Sequence, residues 1–150
     1  MKKVLLSAAL LYLLSFCAYT QSAEKLTEII AAPNVTYGQV AYITGVYQGT
    51  VQESASYETA FETLQKDGII KADATPGETI SLQETAFLCA RATNLKGGLF
   101  YTLFHNSRYA YKELKAKKLL PQSTDSSMPV SGRDAIAVLT ACIRLTGGNE

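Results

Sequence analysis

The stretch Ile80 to Gly98, ISLQETAFLCARATNLKGG, returns without a gap fifty positions later as Val130 to Gly148, VSGRDAIAVLTACIRLTGG. Each copy has a β-branched residue before a serine, an acid three residues after that serine, an apolar helical face and a closing Gly-Gly pair. A shorter relative stands earlier, at Val35 to Gly49. An internal repeat of this kind constrains the chain more than any other feature, because each unit must bury its apolar face against its neighbours.

The conserved spacing has a direct physical meaning. The first backbone N–H groups of a helix have no partner inside it. Ser81 with Glu84 has the form of a capping box, in which the hydroxyl accepts from the third helical N–H and the carboxylate reaches back. Thr36 with Gln39 repeats the pattern, and Ser131 with Asp134 is a shorter-armed version able to form half of the reciprocal pair. A side-chain cap contributes about 1 kcal/mol.

The chain opens on Lys2 and Lys3, an apolar run from Val4 to Phe16, and then small and polar residues. This is the layout of a secretory signal, so residues 1–23 are expected to direct export and to lie outside the fold. The run falls short of the roughly 20 apolar residues that a membrane-crossing helix requires. Leu14-Ser15-Phe16-Cys17 resembles the lipobox of bacterial lipoproteins, which implies lipidation at Cys17; Phe16 departs from the small residue of that pattern. The alternative is a cysteine that merely belongs to the apolar run.

Residues 24–150 have the length of one domain. Without the leader lysines the chain is close to neutral, so net charge gives no reason to expect a nucleic-acid partner. Acids gather at Glu53, Glu58, Glu62, Asp67, Asp73 and Glu78, and bases at Arg108, Lys112, Lys115, Lys117 and Lys118. Both runs read as solvated helix faces. Cys89 and Cys142 lie on the apolar sides of two repeat helices and are expected to be buried thiols, with a disulfide as the alternative in an oxidising compartment.

Helical spacing and stop signals place helices over Glu24 to Ala31, from Thr36 to about Gly49, Ser54 to Asp67, from Ser81 onward, Arg108 to Lys118 and Ser131 to Leu145. Leu99 to His105 reads equally as a strand or as a turn of helix. The expected core is Ile43, Phe61, Leu64, Ile69, Phe87, Leu95, Leu114, Leu119, Ile136, Leu139 and Ile143. The expected class is all-α, with units over about 24–49, 54–98 and 106–148. Asn34-Val35-Thr36 has the form of a glycosylation sequon, which the capping role of Thr36 explains better.

A helix running into Gly68-Ile69-Ile70, a loop with Asp73, Pro76 and Gly77, and then Ile80-Ser81 with Glu84 opening a second helix resembles the S-layer homology repeat. The best match is Ala60 to Leu95, with Ala110 to Leu145 looser and Glu24 to Gly49 truncated. The resemblance implies three helix-loop-helix repeats packed in a pseudo-threefold arrangement, with grooves between repeats that hold wall glycan or peptidoglycan. It places binding residues at the helix starts: Thr36, Gln39, Ser81, Glu84, Ser131, Arg133 and Asp134. The family signature Ile-Thr-Arg-Ala-Glu carries a ligand-contacting arginine where this chain has Tyr37, Leu82 and Gly132; Arg133 stands one position along. None of the three replaces a forked guanidinium.

Catalytic patterns are lacking. The one histidine, His105, has no triad spacing around it, and no Cys/His set suggests a metal or cofactor. The expected function is therefore non-catalytic: an exported cell-envelope protein that binds wall polymer or another envelope protein, touching membrane only through a lipid at Cys17. A scaffold without glycan binding and a small periplasmic hydrolase are the alternatives. Helix N-termini attract anionic or hydroxyl-rich ligands, and Lys112, Lys115 and Lys118 on the basic helix form the competing surface.

Overall fold

Every regular element in residues 22–147, the part that the computed structural model describes, is helical, and the protein is all-α. The expected secretory signal, apart from residues 22 and 23, and Cys17 lie outside the described residues, as does Gly148. Residues 22–31 form α1, followed by α2 (Tyr37–Gln48), α3 (Tyr57–Lys66), α4 (Leu82–Ala92), α5 (Leu99–Phe104), α6 (Ser107–Ala116) and α7 (Gly132–Gly147). Residues 99–104 are thus helix and not strand, closed by His105 in a left-handed conformation with φ 40°.

The fifty-residue offset governs secondary structure and burial together. Each position from 61 to 80 has the same backbone state and the same burial as its counterpart from 111 to 130. Ser56 caps α3 through the Thr59 N–H at 3.1 Å, and Asn106, fifty residues on, caps α6 through the Tyr109 N–H at 3.1 Å. Both helices therefore begin a little after or before the spans drawn from periodicity alone, since side-chain caps set the boundary. The helix α6 also stops at Ala116, short of Lys118, which adopts φ 58° where its counterpart Gly68 has φ 69°.

The core centres on α2 and α4. Nine consecutive residues of α2, Tyr37 to Gly45, are buried, which requires close neighbours on every side. Gly45 permits this approach, since a Cβ there would meet the Val51 side chain at 2.5 Å. The helix α4 packs against α6, α2 and α7, and α2 packs against α3. Most of the expected core is buried, including Phe61, Leu64, Leu95, Leu114 and Leu139. Ile69, Phe87, Leu119, Ile136 and Ile143 are only partly buried. In the two apolar pairs the second member turns inward, leaving Ile70 at 5% and Leu120 at 5% exposure, because the chain is reversing over the carbonyls of Leu64 and Leu114.

Three β-branched residues that precede the capped helices, Val35, Ile80 and Val130, are almost wholly enclosed and joined by backbone bonds. Val35 N–H donates to the Val130 carbonyl at 2.8 Å, and Ile80 N–H donates to the Val35 carbonyl at 3.1 Å. Around them each loop docks on the preceding helix start. Tyr37 and Gly38 N–H donate to the carbonyls of Glu78 and Pro76; Leu82 and Gln83 N–H donate to those of Met128 and Ser126, their counterparts fifty residues on. At the third start Gly132 N–H donates to Ala32 at the end of α1, at 3.0 Å.

Cys89 and Cys142 are free, fully enclosed thiols. Burial, reinforced by the nearby Cys142, pushes Cys89 well above the ordinary thiol range, and burial alone pushes Cys142 up to about 11. A raised thiol pKa favours the folded state fully below the unfolded value near 9 and loses that contribution as pH climbs through 11. At about 1.4 kcal/mol per pKa unit, Cys142 should cost about 2–3 kcal/mol across that window. Urea unfolding at pH 8.5 and 11 tests this: the wild type should lose that much more stability than Cys142→Ala. Equal losses would show that the thiol titrates normally in the folded chain.

Candidate functional site

The residues expected at the helix starts do occupy equivalent places. Gln39, Glu84 and Asp134 are each the third residue of their helix, in α2, α4 and α7. Their bonds differ. Thr36 and Gln39 form the complete box, with Gln39 N–H on the Thr36 hydroxyl at 3.3 Å and Thr36 N–H on Gln39 Oε1 at 3.1 Å.

Ser81 accepts from Glu84 N–H at 3.4 Å, but the Glu84 carboxylate does not return to the cap. It is drawn away by Lys71, at 2.5 Å, and by the Ser107 hydroxyl, at 3.2 Å. The reading of Ser81 and Glu84 as a reciprocal box is thereby corrected: a cation and a hydroxyl outcompete one backbone N–H for a nearly enclosed carboxylate. Tyr37 lies near the same charges, and burial followed by the Glu84 carboxylate raises its pKa. At the third start, Asp134 N–H reaches Ser131 Oγ at 3.2 Å while the Ser131 hydroxyl donates to Asp134 Oδ2 at 2.6 Å. The short aspartate arm makes half of the box and satisfies itself on the hydroxyl.

These differences decide where there is room. Gln39 and Glu84 are buried, Thr36, Ser81 and Ser131 are half-buried, and Arg133 and Asp134 are exposed. The three positions of the family arginine are all interior: Tyr37 packs edge-on against Phe61, Leu82 is 4% exposed and Gly132 lies beneath α1. Of the seven candidates, Asp134 lines a substantial cavity.

That cavity, about 340 Å³, runs between the loop after α6 and the outer side of α7. Its walls are mainly apolar, with Leu82, Leu119, Leu120, Met128, Ala137 and Val138 among them, and Thr124 and Asp134 bring polar atoms. The offset shows why a groove exists here. Ala137 stands where α4 has Phe87, Pro121 where the middle unit has Lys71, and Asp134 where it has Glu84. The last unit thus lacks both the bulk of Phe87 and the ion pair of its counterpart. The grooves expected between repeats rest on polar positions shared among the copies, whereas this groove is marked in the sequence by a loss of size at one of them, Ala137 against Phe87.

The basic helix is less of a free surface than its composition suggests. Lys115 Nζ donates to the Thr124 carbonyl at 3.1 Å and to the Tyr111 hydroxyl at 3.2 Å, tying α6 to the loop. Lys117 pairs with Glu113 at 3.3 Å, and Lys118 lies past the helix end. The acidic run from Glu53 to Glu78 is exposed throughout. His105 lies in a polar pocket with Arg91, Asn94 and Gln48. Among the described residues no group of three or more His, Cys, Asp or Glu is placed to hold a metal ion, and no helix is long and apolar enough to cross a membrane.

Comparison with protein-family models, with curated proteins and with solved structures finds no match for this chain.

Proposed function

We propose that this chain is an exported, non-catalytic envelope protein whose groove between the last loop and α7 takes an apolar segment of another envelope protein. The observation that carries this reading is the groove wall: a cavity of about 340 Å³ with an apolar lining and few polar atoms. Such sites bind apolar groups and use the few polar atoms for orientation. Wall glycan is the less favoured ligand, since it presents hydroxyls and amides throughout. The groove offers it neither an aromatic face nor a guanidinium, and Arg133 does not line it.

In this reading the chain is a divergent member of the S-layer homology type, with three units in a pseudo-threefold arrangement around Val35, Ile80 and Val130. Support comes from the backbone bonds among those three residues and from the repeated docking of loop onto helix start. The positions of the family arginine are filled by packing residues, and the groove opens where Ala137 replaces the bulk of Phe87.

A photo-crosslinking residue at position 137 tests the proposal in envelope extracts. A discrete protein adduct is expected, and Ala137→Phe, which restores the bulk of Phe87, should lower capture of that partner at least tenfold with the helical spectrum unchanged. Cosedimentation with purified peptidoglycan sacculi that Ala137→Phe leaves intact, without a protein adduct, would transfer the function to wall polymer and to another surface.

A further inference from the structure

Among the described residues, the short helix α5 exposes the most apolar surface. Leu99, Phe100, Leu103 and Phe104 are 76%, 62%, 68% and 50% exposed, and the spacing of these four puts them on one face. A cluster of this kind on a folded chain marks an interaction surface. It is also braced. Tyr101 is buried and fixes the helix to the body, while Phe100 and Phe104 both stack on Tyr109 of α6, with ring centres 5.9 and 5.1 Å away.

Charge identifies what covers it. From residue 85 to residue 112 the chain has no aspartate or glutamate, but it has exposed Lys96, Arg108 and Lys112. Lys112 Nζ stands 5.6 Å from the centre of the Tyr109 ring, beside the aromatic stack. The first acid beyond, Glu113, is engaged by Lys117. An apolar, aromatic tip flanked by bases suits the boundary between headgroups and acyl chains, with the bases attracted to anionic lipid.

We propose that α5 is a membrane-surface contact, inserting Leu99, Phe100, Leu103 and Phe104 into an anionic bilayer while Lys96, Arg108 and Lys112 meet its phosphates. The contact is separate from the groove and does not depend on what the groove binds. With one turn and a half of helix the binding is weak and reversible, and it falls with salt.

The chain has no tryptophan, so Phe100→Trp in the full 150-residue protein gives a probe that reports from this patch alone. Its emission should shift to the blue, and be quenched by brominated acyl chains, with vesicles of phosphatidylcholine and phosphatidylglycerol but not with phosphatidylcholine alone. Adding Arg108→Gln and Lys112→Gln should weaken binding roughly twenty-five-fold, on a scale of about fivefold for each base removed. Leu103→Trp serves as the probe if circular dichroism shows that Phe100→Trp disturbs the fold. Unchanged emission while the protein cosediments with vesicles would place the contact elsewhere, the apolar run Val4 to Phe16 included, and overturn the proposal. So would an equal response to zwitterionic vesicles, or a blue shift that grows with protein concentration in their absence, which would make a second copy the occupant.

Discussion

Gly132→Leu, which gives α7 the residue that α4 carries at Leu82, is expected to destabilise the protein by at least about 3 kcal/mol, in the upper range of overpacking. A Cβ at Gly132 would overlap the Ile29 carbonyl oxygen and stand 3.2 Å from Ile30 Cα. Both are backbone atoms, so no side-chain rotation relieves the clash. The end of α1 must lift away, breaking the Gly132 to Ala32 hydrogen bond and exposing Ile29, which is fully enclosed. In thermal unfolding the midpoint should fall by about 10 °C, at a few degrees per kcal/mol for a chain of this size. Gly77→Ala, where an added Cβ meets nothing within 4 Å, is the control and should change stability by less than about 0.5 kcal/mol. A Gly132→Leu protein as stable as the wild type would mean that α1 does not dock on the start of α7.

Ile80→Ala should cost about 3 kcal/mol, within the range for removing a buried isoleucine side chain. Ile80 has no exposure, and its N–H donates to the carbonyl of Val35, whose own N–H donates to that of Val130. In urea the midpoint should fall by about 1–2 M for a typical slope. Ile69→Ala, in the apolar pair after α3 that the sequence places in the core, should cost less than about 1.5 kcal/mol because its side chain is only partly covered. The reverse order would show that the centre of the fold lies along the helix faces and not at the three residues before the caps.

The all-α class, the offset of fifty and the starts of α2, α4 and α7 were legible in the sequence for a local reason. Caps such as Thr36 with Gln39 act over three residues, and the apolar faces of α3, α6 and α7 follow the helical period. Burial of Leu64, Leu114 and Leu139 followed from the same pattern. Six of the seven candidate binding residues, all but Arg133, were legible only as caps, since a capping serine has the same sequence whether its N3 partner returns to the cap or turns to a distant cation.

Tertiary structure decided that choice for Glu84, whose partners Lys71 and Ser107 come from 13 and 23 residues away. It also settled which member of each apolar pair turns inward, the helical state of Leu99 to Phe104 and the commitment of Lys115 to the loop at Thr124. The groove belongs to the same class, because its volume depends on which segments come to face the small side chain of Ala137. Capping and periodicity are set by neighbours a few residues apart and can be read from the chain. Room, charge partners and the close approach of α1 to Gly132 depend on where separate segments meet in space.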